Sequence, residues 1–248
     1  MRTHPPALAL PVAGPAVRGI VVALLAVFVA QVLFAYAAPS DAAGVARVND
    51  FTALSLDAVR AGRVWVFVTY AVVHSLAGWG HLFLNLLLIY LFGASIEADV
   101  GSRRTVGLFA ASAIGAALAF LLAAWLPDPF GVAGGAIVGA SGAAYGLVGA
   151  VCMRRWRTQT LSLIFVTIDG RTLAALLVLL ELIRGALGAG AEAVCHLGGI
   201  ATGLALASGR GPTRALRDLR DRLRRDRLRR KLRVVHSRDV DERPPTFH

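Results

Sequence analysis

The chain has 248 residues, of which 56% are hydrophobic and 17% charged, with a formal net charge of +11 and a mean hydropathy of +0.65. A soluble domain of this length carries about 25% charged residues. Here about half of the charged residues are gathered at the C-terminal end, 209–248, which excludes an ordinary soluble domain and makes a nucleic-acid partner a minor reading beside a polytopic membrane protein. Cys152 and Cys195 both fall in apolar segments, so a disulfide scaffold is not expected.

Apolar runs near the ~20 residues that cross ~30 Å of hydrocarbon mark the candidate spans. Residues 1–18 form a short polar-flanked N-terminal segment with Arg2 and Arg18. The first run, 19–38, is longer than the apolar core of a signal peptide and predicts a retained span. A long mixed loop, 39–78, follows with Asp41, Asp50 and Asp57. The second span covers about 79–96 and the third about 105–126, broken by Pro127 and Pro129. A fourth, rich in glycine and alanine, covers about 135–153 and is stopped by Arg154, Arg155 and Arg157. A short apolar run, 161–168, precedes a fifth span near 173–187, which contains Glu181, and a sixth near 193–207. These readings predict an all-α membrane protein, a six-transmembrane-helix bundle at 19–208 with a long loop between helices 1 and 2.

Basic residues set the expected orientation. With the N-terminus inside, 22 of the 26 fall on inner segments, and the bias survives removal of the tail. The tail, 209–248, carries Leu216, Leu219, Leu223, Leu228 and Leu232 at roughly helical spacing among arginines. It reads either as a basic amphipathic helix on an anionic leaflet or as a solvated, partly disordered charged segment.

Polar groups in hydrocarbon are costly, so those that remain are informative. His81 and Asn85, four apart, share one helix face. Helix–helix hydrogen bonding accounts for such a pair as readily as chemistry does. Ser141 lies in Gly139-Ala140-Ser141-Gly142-Ala143-Ala144-Tyr145-Gly146. A lone intramembrane serine usually bonds its own helix. This one starts a helix among glycines, where free backbone N–H groups are close. His196 lies three residues before Gly199, and Gly199 and Gly203 form a small-xxx-small face that admits a second helix. If that helix is the fourth, through Gly142 and Gly146, His196 meets Ser141 and can take its proton. Alone, His196 reads equally as a buried structural histidine or a metal ligand. His4, His236 and His248 lie in terminal segments and make no convincing metal site, and neither a metal nor a cofactor is expected.

Taken together these residues resemble the rhomboid family of intramembrane serine proteases. The resemblance rests on His81-x-x-x-Asn85, Gly139-x-Ser141-Gly142 with Tyr145, and His196-x-x-Gly199-x-x-x-Gly203, in the family's order on spans two, four and six. His74-Ser75 and Phe92-Gly93 leading to Glu97 fit the same likeness. It implies Ser141 as nucleophile and His196 as general base, with no third acidic residue. It implies oxyanion support from His81, Asn85 and the Ser141 N–H, and Tyr145 stacked on His196. Gly139 matches the first glycine of the nucleophile motif. Gly142, Gly199 and Gly203 would be packing glycines. One departure is Trp65-Val66, where the family's loop often carries Trp-Arg; Arg60 or Arg63 could brace the loop instead. The implied substrate is a transmembrane segment of another protein, cleaved at a cavity open to the outside, in a bilayer such as a bacterial plasma membrane. A non-catalytic binder of membrane clients and a small transporter are the competing readings. Substrate identity and oligomeric state are not legible.

Overall fold

The computed structural model describes residues 12–37, 50–76, 79–126, 132, 134–157, 159–163 and 166–208. The tail reading at 209–248 and the first eleven residues of the N-terminal segment lie outside the described residues.

Helix α1 spans Pro15–Ala37 and opens on proline, whose missing N–H costs nothing in the first turn. Two of its free N–H groups, on Ala16 and Val17, donate to the Glu97 carboxylate at 2.8 and 2.9 Å. Val17, Leu24, Phe28 and Gln31 form a buried stripe at helical spacing. Val22, Val29, Leu33 and Phe34 point outward, as lipid requires.

The segment between the first two expected spans holds short pieces: β1 (Leu54–Ser55), α2 (Leu56–Arg60) and α3 (Val66–Thr69). Ser55 caps α2 by accepting from the Ala58 N–H at 3.1 Å. Val66 is fully buried beside Leu54, Tyr70 and Phe120, so an arginine there would drive its guanidinium into the core. The ties to the start of this segment come from its neighbours instead. Arg63 donates to the Asp50 carbonyl and the Trp65 indole to that of Phe51, each at 2.8 Å.

Helix α4 (Trp79–Leu88) continues through a π-helical turn, Ile89–Gly93, into α5 (Ala94–Val100). Gly101, at φ +82°, turns the chain into α6 (Ser102–Ala124). Strand β2 (Ala136–Ile137) pairs antiparallel with β1, Leu54 opposite Ile137. Helix α7 spans Ser141–Arg154. An antiparallel hairpin, β3 (Gln159–Leu163) and β4 (Val166–Asp169), follows; the helical reading of the sequence had only a short apolar run there. Asp169 caps α8 (Gly170–Arg184), accepting from the Thr172 N–H at 2.7 Å. Helix α9 (Gly190–Ala207) closes the described bundle.

Among the described residues four helical stretches are long and apolar enough to cross a membrane: Pro15–Ala37, Trp79–Val100, Ser102–Ala124 and Gly170–Ala207. The last has 38 residues. As one straight rod it would measure about 57 Å, nearly twice the hydrocarbon thickness. It is not straight. Gly188 sits at φ +104°, a left-handed conformation that glycine tolerates, and the chain doubles back there. Arg184 thereby reaches Glu192 at 2.7 Å.

Helix α7 is the centre of the bundle. At 14 residues, 11 of them buried, it is too short to cross hydrocarbon alone. Its glycines let neighbours come to backbone contact. A methyl at Gly199 would strike the Gly142 carbonyl, and one at Gly203 the Gly146 carbonyl. A methyl at Gly146 would strike Ser112 of α6. Such close approach is how helices associate in lipid, where burying apolar surface gains nothing.

Candidate active site

Ser141 is the first residue of α7 and 6% exposed. Residues in a first helical turn have N–H groups with no acceptor inside the helix, so the Ser141 and Gly142 amides are free to bind a developing anion. Gly139, two residues earlier, has φ +124°, which only glycine adopts easily. Its N–H donates to the Tyr70 carbonyl at 2.7 Å, fixing the approach to the helix.

His196 comes from the first half of α9 and is 5% exposed. The backbone contact of Gly199 with Gly142 and of Gly203 with Gly146 locks α9 against α7. Tyr145, one turn after Ser141, lies flat on the imidazole: the ring centroids are 4.2 Å apart and the planes 6° from parallel. Residues four apart share a helix face, so the face of α7 that meets His196 also carries Ser141.

His81 and Asn85 stand on the other side of Gly139. A methyl there would lie 2.9 Å from His81 Cε1 and 3.5 Å from Asn85 Nδ2. Both expected oxyanion residues therefore border the loop that delivers Ser141, with Asn85 2% exposed. Their neighbour His74, outside the sequence-derived site set, is part of the same cluster. Its Nε2 is 3.1 Å from Asn85 Nδ2 and accepts from the Ala140 N–H at 3.3 Å. Both contacts require that nitrogen to be unprotonated, since the partners are donors. Burial, helped by nearby His81, pulls His74 down to about 4, so it stays neutral at physiological pH. Gln31 of α1 holds the His74 backbone from both sides, donating to its carbonyl at 3.0 Å and accepting from its N–H at 3.1 Å.

A second residue outside that set is Glu181 of α8. It is fully buried, and its Oε2 lies 3.1 Å from His196 Nδ1. Its Oε1 meets Arg184 at 3.3 Å. The sequence marked Glu181 as the one acid well inside a span, but two helices separate in pattern gave no hint that they meet here. Among the described residues no group of three His, Cys, Asp or Glu side chains could hold a metal.

An apolar helical bundle with a serine, a histidine and a donor cluster converging at its core defines an integral membrane protein with a buried polar site. The Rhomboid domain family model matches residues 61–212, more than half the chain. The chain belongs to the rhomboid family, whose members are generally intramembrane serine proteases acting on transmembrane substrates within the bilayer. No curated protein matches it.

Proposed function

We propose that this protein is an intramembrane serine endopeptidase in which Ser141 is the nucleophile and His196 its base. The observation that carries the reading is the stacking of Tyr145 on His196 while Gly142 and Gly199 touch through backbone. It brings the start of α7 to the imidazole and holds the ring in one plane.

The chemistry runs in two halves. His196 takes the Ser141 hydroxyl proton as Oγ attacks the scissile carbonyl, and returns it to the leaving amine as the C–N bond breaks. Water then hydrolyses the acyl-enzyme with His196 again as base. The Ser141 N–H, His81 and Asn85 supply the donors for the two tetrahedral oxyanions, each worth ~10²–10³ in rate. No cofactor takes part.

The proposed topology has six crossings, with α7 counted together with its preceding loop and α8 and α9 counted as two. The N-terminus and the arginine-rich tail then lie inside, and the membrane is a bacterial plasma membrane. With Arg154 and Arg155 at the inner end, bound to Asp99 at 2.7 and 3.6 Å, a helix about 21 Å long leaves Ser141 below the outer surface. Water reaches it from outside. The substrate is a transmembrane segment whose helix unwinds easily, since hydrogen-bonded carbonyls are shielded from attack.

The test is cleavage of a membrane-tethered reporter in proteoliposomes. Ser141→Ala and His196→Ala should each reduce cleavage to background with the protein still folded. Cleavage persisting in either variant overturns the assignment.

A further inference from the structure

Glu181 has no part in a two-residue mechanism, yet it is the most deeply placed acid among the described residues, at 0% exposure. Burying a carboxylate costs several kcal/mol unless partners compensate. One oxygen has Arg184 at 3.3 Å. The other, Oε2, has no hydrogen-bond partner, and neither has the buried Nδ1 of His196. These two orphaned atoms face each other across 3.1 Å. The oxygen lies off the line of the ring N–H, so the distance of a hydrogen bond is present without its full alignment. A small turn of either side chain satisfies both atoms at once.

The surroundings favour that turn. Tyr145 fixes the plane of the ring, and its hydroxyl interacts with the same carboxylate. Arg184 also pairs with Glu192 of α9 at 2.7 Å, which pins the α8 carboxylate beside α9. From α4, His81 is in electrostatic range of His196, Glu192 and Arg184. Glu181, Arg184, Glu192, His81 and Tyr145 are thus the titratable and charged groups around the imidazole.

We infer that Glu181 is a positioning residue for the proposed serine hydrolysis, accepting the Nδ1–H of His196 so that Nε2 is bare and aimed at Ser141. This rests on the protease reading and deepens it from a dyad to a Ser141–His196–Glu181 triad. The proton balance is complete. Ser141 Oγ–H passes its proton to Nε2 as the C–O bond forms. The imidazolium keeps Nδ1–H against the carboxylate, and Nε2–H goes to the amine nitrogen as the C–N bond breaks. Glu181 stays ionised throughout, as an orienting acid does. A neutral imidazole carries one ring proton, and the partner of one nitrogen decides which nitrogen is left as base.

Two measurements test this on the full chain. The first is the rate at which a fluorophosphonate labels Ser141. Glu181→Gln keeps the shape and removes the charge and the obligatory acceptor. Labelling and reporter kcat should each fall about 10²-fold with KM unchanged and the thermal midpoint held, on the scale of general-base contributions. A folded Gln variant that labels at the wild-type rate overturns the triad and leaves the dyad standing. Failure of the unsubstituted protein to label overturns both. The second needs no substitution at Glu181. Histidine-¹⁵N spectra of the unsubstituted protein, with the His196 signal assigned by its loss in His196→Ala, should show neutral His196 protonated on Nδ1. Protonation on Nε2 with Nδ1 bare overturns the inference even if the Gln variant does not fold.

Discussion

Helices α7 and α8 have almost the same length, 14 and 15 residues, and opposite surroundings. Eleven residues of α7 are buried, against four of α8. Hydropathy does not explain this, because α8 is the leucine-rich one and its Leu176, Leu179, Leu180, Leu182 and Ile183 are exposed. Size explains it. In lipid a leucine is as comfortable outside as inside, and a helix goes to the centre when its side chains are small enough for others to touch its backbone. The proposed nucleophile sits on the packed helix. The carboxylate that steadies the proposed base sits on the loosely held one. Under the proposed function, a substrate arriving sideways would meet less packing to displace at α8 than at α7.

Three experiments sharpen or break that contrast. The largest effect is expected at the α7–α9 contact. Gly199→Val puts branches into the Gly142 carbonyl, and backbone cannot step aside as a side chain can. Stability should fall by about 3 kcal/mol or more, read by steric trapping or unfolding in mixed micelles. A smaller loss, matching that of a surface valine, would show that the helices part easily.

An intermediate effect is expected from acid. His74 must be neutral to accept from Ala140 and Asn85, and burial lowers its proton affinity in the fold to about 4, below that of an unfolded histidine. Between pH ~6.5 and ~4 the unfolded chain therefore binds more protons. The stability from this site is complete above ~6.5 and is lost as pH falls, by up to about 1.4 kcal/mol per unit. The difference in unfolding free energy between the unsubstituted protein and His74→Gln should carry that slope; parallel pH curves would remove His74 from the account.

The smallest effect belongs to the lipid-facing side of α8. Leu179 is more than half exposed, so Leu179→Ala should change stability by no more than about 0.5 kcal/mol. A large loss would mean that α8 is covered by something in the folded protein.

Much of this site was legible because its chemistry leaves a mark on the letters. Ser141 among glycines, His81 and Asn85 four apart, and His196 ahead of Gly199 and Gly203 are costly in a membrane without a purpose. The helical, membrane-spanning character was equally plain from apolar run lengths. Three things were not legible. Gly188 makes the turn between α8 and α9, but it stands in a stretch of small residues where no one glycine declares a left-handed conformation. Glu181 was visible as an acid in a span. Its partner depends on that turn, which returns the chain to 3.1 Å where a straight helix would stand about 22 Å away. His74 stood out with Ser75 in the sequence, but its contacts did not: it lies in irregular chain, where no period predicts which groups converge, and it is held there by Gln31 from a distant helix.

The grip of Glu97 on the start of α1 bears on the order of assembly. The carboxylate that accepts from Ala16 and Val17, and from the Ser102 hydroxyl at 2.6 Å, is about 80 residues downstream of the amides it serves. At ribosomal speeds of ~5–20 residues per second it emerges some 4 to 16 s after them. Through that interval the first helix has no protein clasp on its leading turn, and water or headgroups must serve. That clasp on α1 therefore cannot close before α5 has been synthesised.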